Sequence, residues 1–316
     1  MTDFWVHGLA GLDDNAPERL AARHPDWQFT DGPPTADAGY DVLVTGRPSH
    51  ALLTASPRLR TLVVPFAGIP AETRALLADF PDLAVRTIHH NAGPTAELAV
   101  GLVLAAARAI VPADQAMRSG DWTPRFVPPN PTMILGDHRA LVIGYGEVGR
   151  RVARGLAGLG MEVHAVRSSD RPALDGDVQI HPRSALAELV PRSRVVVLAV
   201  PASPSTDGLF NAALIAALPE PSVLVNMARA TVVDEQALYE RLSRGGVAAG
   251  LDVWWEEARS AGAATGIAAS AYPFHTLPNV VLSPHRGGAF SLREVRDLRL
   301  SHVEAVLVRL SSPSAG

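Results

Sequence analysis

The sequence predicts an α/β fold made of parallel, doubly wound sheets. Strand and helix patterns alternate regularly from residue 139 onward, an order typical of helices covering a parallel sheet. A shorter alternation of the same kind precedes it, and a glycine-rich turn joins a strand to a helix at residues 144–149. A chain of 316 residues is long enough for about two domains.

The glycine-rich turn has the pattern G-x-G-x-x-G. Gly144 permits a tight turn, Gly146 lets a pyrophosphate approach the backbone, and Gly149 allows close packing of the helix on the strand. The pattern is weak by itself. Here an apolar strand at 140–143 precedes it, a helical pattern follows, and a second strand is expected at 161–166. We therefore predict a dinucleotide-binding βαβ unit, with phosphates at the helix N-terminus.

The end of the second strand bears on the choice of cofactor. An NAD-selective site places Asp or Glu there to accept a hydrogen bond from the ribose 2′-OH, but this chain has Arg167. Arg167 and Ser168 are suited to a 2′-phosphate, and Arg171 adds charge. Asp170 is the counter-evidence, and an exposed arginine indifferent to the cofactor is the alternative. We expect NADP(H) to be preferred over NAD(H).

Residues 1–95 indicate a smaller α/β unit, with strands at 4–7, 41–45, 62–64 and 83–89. The segment 64–70 follows a strand and precedes a helix predicted at 72–79. Its N–H groups are suited to an anion such as a carboxylate, but an ordinary βα turn explains the segment equally well.

Residues 95–310 contain further predicted helices and strands. A long apolar helix at 95–109 is expected to be buried between domains, and residues 113–131, with Trp122 and a proline-rich tail, resemble an arm or dimer contact. Further strands are expected at 140–143, 161–166, 194–200, 222–226, 248–253 and 280–282. The loop 256–279 is long, and a loop of this length usually has a function of its own. A last helix at 291–310 is expected to return to the first domain.

Composition excludes several functions. The chain has no cysteine and no lysine, so disulfides, thiol nucleophiles, Schiff bases and Cys-ligated zinc are impossible. The net charge of −4 without a basic run argues against nucleic acid, and Arg150, Arg151 and Arg154 are interpreted as a solvated helix face. The N-terminus has no signal-peptide pattern, and no apolar run approaches the ~20 residues that span a bilayer. We expect a cytoplasmic protein without a membrane partner.

Chemically useful residues follow three of the predicted strands. In a doubly wound sheet, ligands bind outside the carboxyl ends of the strands. An arginine (Arg229), a carboxylate (Glu256 or Glu257) and a histidine (His285) are expected at that edge. Each has an ordinary explanation, such as a surface ion pair or a solvated loop. Together they provide a bidentate carboxylate anchor, a proton carrier and a charge that orients it.

In this arrangement the chain resembles the D-isomer-specific 2-hydroxyacid dehydrogenase family, which includes glyoxylate/hydroxypyruvate reductases. The resemblance covers nearly the whole chain. It rests on the following motifs: Ala67-Gly68, Ala96-Glu97-Leu98, the hexapeptide 144–149, Asn226-Met227-Ala228-Arg229, Val233-Asp234-Glu235-Gln236-Ala237-Leu238, Leu251-Asp252-Val253, and Ser283-Pro284-His285 with Gly287-Gly288.

The resemblance implies two Rossmann-like domains with the active site in the cleft between them. The substrate-binding domain would be discontinuous, residues 1–96 and 288–316, and the dinucleotide-binding domain would span 97–287. A homodimer is also implied. The reaction implied is hydride transfer between a nicotinamide cofactor and C2 of a small 2-oxo acid or (R)-2-hydroxy acid, without a metal.

The resemblance also assigns residues. Arg229 would anchor the substrate carboxylate and carbonyl, His285 would be the acid/base, Glu257 would be its partner, and the backbone of Ala67 and Gly68 would hold the substrate carboxylate. The cofactor-binding set comprises Gly144, Gly146, Glu147, Val148, Gly149, Arg167, Ser168, Arg171, Val200, Pro201, Met227, Ala228, Asp252, His285 and Gly287, with Asp252 on the nicotinamide side.

Some positions depart from the family pattern. Glu257 precedes Ala258 rather than a proline and has Glu256 beside it; the spacing of five residues from Asp252 favours Glu257. Trp254-Trp255 is bulkier than usual, and Arg286 replaces an apolar residue. Two other functions remain open: oxidation of a small oxyanion such as phosphite, for which Arg286 supplies charge, and a dinucleotide-sensing corepressor.

Overall fold

The computed structural model describes residues 4–9, 11–12, 15–34, 39–169, 171–257 and 268–312. The chain divides into two compact units. The first comprises Met1–Asn91 together with Ala289–Gly316, and the second comprises Ala92–Gly288. Each unit is built around its own sheet.

The strands are, in chain order, β1 Phe4–His7, β2 Trp27–Thr30, β3 Val42–Val44, β4 Thr61–Val64, β5 Ala84–Thr87, β6 Arg139–Ile143, β7 Glu162–Arg167, β8 Ala173–Asp175, β9 Val178–Pro182, β10 Val195–Leu198, β11 Ser222–Asn226, β12 Val247–Leu251 and β13 Val280–Leu282. The α-helices are α1 Ala16–Ala21, α2 His50–Thr54, α3 Ala71–Leu76, α4 Ala92–Ala107, α5 Ile110–Arg118, α6 Glu147–Gly158, α7 Leu186–Leu189, α8 Ala212–Ala216, α9 Glu235–Ser243 and α10 Arg293–Ser311.

The first unit contains a parallel sheet of order β2-β1-β3-β4-β5. Its inner strands are apolar on both faces, as expected where helices cover both sides. One core lies against α10, where Leu300, Val303 and Leu307 join Val6 and Val44. The other core is formed with α2. The last helix of the chain therefore completes the core of the first unit.

The second unit contains a sheet of order β13-β12-β11-β10-β6-β7-β9-β8, parallel except for the antiparallel β8–β9 hairpin. Both faces are covered: α4 and α6 contribute to one core, and α8 and α9 to the other. Strand order reverses between β6 and β10, and such a reversal is where α/β sheets bind ligands. The predicted α/β class with two doubly wound parallel sheets is confirmed.

The long apolar helix differs from its prediction. It begins earlier than expected, and α4 packs against α6, β11 and β12 within the second unit. Ala99 and Val103 are fully buried there, and Gly155 of α6 lies so close that an added Cβ would meet Val100 at 2.9 Å. The buried apolar residues of α4 thus pack within their own unit.

The described part of the chain contains no single helix long and apolar enough to cross a membrane. Helices α4 and α5 reach the required length and hydropathy only as a pair, which is bent by 64°. The bend lies at Ala109, whose φ is +48°.

Candidate active site

The glycine turn has the geometry that a dinucleotide needs. Gly144 has φ +104°, and an added Cβ would lie 2.4 Å from the carbonyl oxygen of Ala199. A Cβ on Gly149 would lie 1.8 Å from the carbonyl oxygen of Gly144, so the helix touches the turn. Gly146 is the N-cap of α6 and has open space where its Cβ would be. The first turn of α6 therefore fits a pyrophosphate close to its N–H groups.

The arginines of α6 lie on a helix face that is at least partly exposed, and two of them form ion pairs there. Arg150 and Arg151 each lie 2.6 Å from a carboxylate oxygen of Glu147, and all three side chains are partly covered. The Nε of Arg154 donates to the Arg150 carbonyl. The hydrogen bonds from Arg151 and Arg150 lower the pKa of Glu147 to about 2. The negative charge at the start of α6 is thus balanced, while the neighbouring Val148 packs on the core.

Arg167 ends β7 directly beside the glycine turn, because the N–H of Gly144 donates to the Val166 carbonyl at 2.8 Å. Arg167 is half-buried, and its Nε has no hydrogen-bond partner in the described ranges. Ser168 and Arg171 are exposed next to it. Asp170, the counter-evidence in the sequence, lies outside the described residues.

Sequence reasoning missed one neighbour of the glycine turn. The hydroxyl of Tyr145 donates to Asp175 at 3.0 Å, and Asp175 ends the first strand of the β8–β9 hairpin. Burial, followed by this hydrogen bond, raises the pKa of Tyr145 to about 12. The sequence Asp175-Gly176 between two short strands is a hairpin signal that would have predicted the turn.

The carboxyl ends of the central strands lie along one edge. Strands β6, β10, β11, β12 and β13 are parallel neighbours in register. The segments that follow them therefore share that edge. They carry the half-buried Val200 and exposed Pro201, the buried Met227 and Ala228, and Arg229, Asp252, Glu257, His285 and Gly287.

An imidazole–carboxylate pair lies on this edge. The Nδ1 of His285 and the Oε2 of Glu257 are 2.8 Å apart, and both side chains are 38% exposed. Glu257, rather than Glu256, is thus the partner of His285. The Oε1 of Glu257 also accepts the backbone N–H of Trp254 at 3.2 Å. With Nδ1 directed at the carboxylate, Nε2 is the nitrogen left to exchange a proton with a substrate.

Asp252 holds the loop that carries His285. Asp252 is 2% exposed, and its carboxylate accepts three hydrogen bonds, from the Ser283 hydroxyl at 2.5 Å and from the N–H groups of Arg286 at 2.9 Å and Gly287 at 2.8 Å. These bonds occupy most of its acceptor capacity. The sequence did not predict this role, and the contact of Asp252 with nicotinamide stays a prediction.

Arg229 follows β11 in a turn shaped by the buried Asn226. The amide of Asn226 donates to the Arg229 carbonyl and accepts the N–H of Ala228, both at 3.0 Å. The Arg229 side chain is exposed, and one of its nitrogens donates to the Ala228 carbonyl at 2.7 Å. It forms no salt bridge with a carboxylate of the described residues, so most of its donors are available to an anion.

Ala67 and Gly68 belong to the first unit. They lie between β4 and α3, at the carboxyl end of β4, and both are exposed. A Cβ added to Gly68 would meet nothing within 4 Å. The segment is therefore open to a ligand, and its contact with substrate stays a prediction.

A parallel sheet, a glycine turn at its switch point and a histidine–carboxylate pair on the same edge are features of nicotinamide-dependent dehydrogenases. Residues 100–287 match the family model described as "D-isomer specific 2-hydroxyacid dehydrogenase, NAD binding domain". The chain belongs to the D-isomer-specific 2-hydroxyacid dehydrogenase family. It is an oxidoreductase that acts on the CH–OH group of 2-hydroxyacids.

Individual proteins agree with this assignment. The chain is 33% identical over 269 residues to the glyoxylate reductase of Thermococcus kodakarensis, covering 79% of this chain and 74% of the relative. It is 34% identical over 207 residues to that of Thermococcus onnurineus, covering 62% of this chain and 57% of the relative. The crystal structure of a D-isomer-specific 2-hydroxyacid dehydrogenase from Xanthobacter autotrophicus Py2, in complex with NADPH and MES, has a TM-score of 0.75 with 26% identity, covering 100% of this chain and 97% of that one.

Proposed function

We propose that this enzyme interconverts a small 2-oxo acid and its (R)-2-hydroxy acid, in the manner of a glyoxylate/hydroxypyruvate reductase. The observation that carries the proposal is the 2.8 Å contact between His285 and Glu257, on the sheet edge that also bears the glycine turn. A proton carrier with an orienting carboxylate is what carbonyl reduction requires beside a bound dinucleotide.

Three side chains take part in the reduction of the carbonyl group. The exposed guanidinium of Arg229 binds the substrate carboxylate and polarises the adjacent carbonyl. Protonated His285 donates a proton from Nε2 to the carbonyl oxygen, while Glu257 fixes the ring through Nδ1 and stabilises the imidazolium. A bound reduced nicotinamide supplies the hydride. On the family resemblance we also assign the backbone N–H groups of Ala67 and Gly68 to the substrate carboxylate.

The cofactor is held by the glycine turn, and the proposed preference is for NADP(H), with NAD(H) as the alternative. Arg167 supports this preference, because its Nε lacks a partner among the described residues and the residue ends β7, whose backbone bonds to the turn at Gly144. Exposed Ser168 and Arg171 are suited to contact the same 2′-phosphate. The related protein from Xanthobacter autotrophicus is bound to NADPH.

We further propose a homodimer formed through the arm that follows α5. Large apolar side chains are exposed there, including Trp122 and Val127, and Phe126 is 76% exposed. The proline-rich tail of the arm includes Pro128 and Pro129. Exposed aromatic and aliphatic residues in one segment are typical of a contact with another chain.

A panel of 2-oxo acids tests the function, with loss of reduced-nicotinamide absorbance measured for NADPH and NADH. Turnover of glyoxylate, hydroxypyruvate or a close analogue supports the proposal. Oxidation of phosphite by NAD(P)+, measured as a gain of the same absorbance, with inactivity toward every 2-oxo acid, would instead assign the site to a small oxyanion, with Arg286 supplying charge. Tight cofactor binding without any turnover would favour a dinucleotide-sensing corepressor.

A further inference from the structure

Trp254 bonds to Glu257 and to the loop that carries His285. Its indole Nε1 donates to the carbonyl oxygen of Ser283 at 2.8 Å, and the same oxygen accepts the backbone N–H of His285 at 3.0 Å. Its own backbone N–H donates to the Oε1 of Glu257 at 3.2 Å. One residue therefore links the segment after β12, which carries Glu257, to the segment after β13, which carries His285.

The pair needs such a link, because packing alone does not hold it. His285 and Glu257 are each 38% exposed and lie 28 residues apart in the chain. The backbone of His285 has φ +51°, a left-handed conformation that is uncommon for residues other than glycine. Asp252 fixes the loop on one side through three hydrogen bonds. Trp254 fixes it on the other, at the carbonyl two residues before the histidine.

The ring contact of Trp254 does not by itself require an indole. The ring of Trp254 meets Phe274 edge-on, with centroids 6.4 Å apart, a contact that a phenylalanine would also make. Its neighbour Trp255 stacks on the same phenylalanine with centroids 5.7 Å apart, and no hydrogen bond joins its indole to the His285 loop in the described residues. The two tryptophans share a packing partner, but Trp254 alone of the two bonds to the loop.

We infer that Trp254 is a positioning residue, which sets the distance between His285 and Glu257 through its indole N–H. The inference rests on the proposed function, in which that pair delivers the proton. Removing the indole N–H breaks the bond between Trp254 and the Ser283 carbonyl, and the His285 loop moves relative to Glu257. Small displacements of this kind lower the rate of the chemical step while the cofactor still binds.

The test compares Trp254→Phe with Trp255→Phe, each alone and combined with Glu257→Gln. We expect Trp254→Phe to lower kcat about tenfold, a size suited to one lost hydrogen bond that positions a reacting group. We expect Trp255→Phe to change kcat much less, with both variants keeping the wild-type cofactor Kd. Added to Glu257→Gln, Trp254→Phe should cause no further loss, because the pair is already broken. If Trp254→Phe does not fold, Trp254→Tyr replaces it.

A second readout does not depend on turnover. Crystal structures of the wild type, Trp254→Phe and Trp255→Phe measure the distance between Nδ1 of His285 and Oε2 of Glu257. This distance should lengthen beyond hydrogen-bond reach in Trp254→Phe and stay near 2.8 Å in Trp255→Phe. An unchanged distance in Trp254→Phe, a normal kcat, or a loss that adds fully to that of Glu257→Gln overturns the inference. Absence of wild-type activity refutes the proposed function alone, since the measured distance still decides the role of Trp254.

Discussion

The Oδ2 of Asp252 accepts the N–H of Gly287 at 2.8 Å, and the two residues are so close that a Cβ on Gly287 would lie 2.7 Å from that oxygen. The same Cβ would meet the terminal methyl of Met227 at 2.7 Å. The flexible side chain of Met227 can move aside, but the Asp252 carboxylate is fixed by two further hydrogen bonds. The position of the His285 loop therefore depends on the absence of a side chain at residue 287.

Replacing Gly287 with Ala should therefore destabilise the fold by about 1–3 kcal/mol, the cost of overpacking a well-filled site. Urea unfolding measures the change. Gly101→Ala is the matched control, because Gly101 is exposed on α4 and its Cβ would meet nothing within 4 Å. That variant should be neutral or stabilised by up to about 1 kcal/mol. Equal stability of the two variants would contradict the crowding at Gly287.

His285→Asn tests the proton carrier. Loss of a positioned acid/base should lower kcat by about 10²–10⁴, while the cofactor Kd stays near the wild-type value because the glycine turn is untouched. Steady-state kinetics and fluorescence titration of the cofactor measure the two effects. His275→Asn is the control, since His275 is an exposed histidine outside this site. Near-normal turnover of His285→Asn would remove His285 from the mechanism.

Arg229→Lys tests the carboxylate anchor. A lysine keeps the charge but cannot form two parallel hydrogen bonds to a carboxylate. We expect KM for the acid to rise and kcat to fall, with kcat/KM lower by about 10²-fold. Arg244→Lys on the exposed end of α9 is the control. An unchanged KM for the acid would show that another group binds the carboxylate.

The elements that sequence predicted well are those with a strong apolar signature. The strand 222–226 agrees residue for residue with β11, because its five residues are all buried. By contrast, β2 at Trp27–Thr30 was missed, since it is a short edge strand with partly exposed side chains. The β8–β9 hairpin was missed for a similar reason: all of β8 is exposed and lies at the edge of its sheet. Edge strands bury too little to give an alternating pattern.

Within the site, the sequence indicated which residues are chemically active but not the hydrogen bonds that hold them in place. Motif spacing indicated Glu257 over Glu256, and the structure places Glu257 against His285. The three hydrogen bonds to Asp252 and the link through Trp254 join segments about 30 residues apart. Such contacts arise only when parallel strands bring their ends to one edge. The pairing of Arg150 with Glu147 was missed although its spacing is helical, because the arginines were interpreted as a solvated face.

The arm makes the oligomeric state testable. Multi-angle light scattering at micromolar concentration should give a dimer, and Phe126→Asp should shift it toward monomer, since a buried unpaired charge at an interface is strongly unfavourable. Leu174→Asp is the control: Leu174 is also apolar and 70% exposed, but it lies on the β8–β9 hairpin. A wild-type protein that stays monomeric would refute the dimer. If Phe126→Asp and Leu174→Asp shifted the dimer toward monomer equally, the arm would not be the specific interface.

Cofactor preference depends on the end of β7. Arg167 should favour NADPH, because its guanidinium attracts a 2′-phosphate that a carboxylate there would repel. The measurement is kcat/KM with NADPH and with NADH. Arg167→Asp should lower the NADPH/NADH ratio by about 10–100-fold, the size of a lost charge-assisted hydrogen bond. Arg60→Asp, at an exposed arginine of the first unit, should leave the ratio unchanged. A wild-type preference for NADH, or a ratio that Arg167→Asp does not move, would show that Arg167 does not select the cofactor.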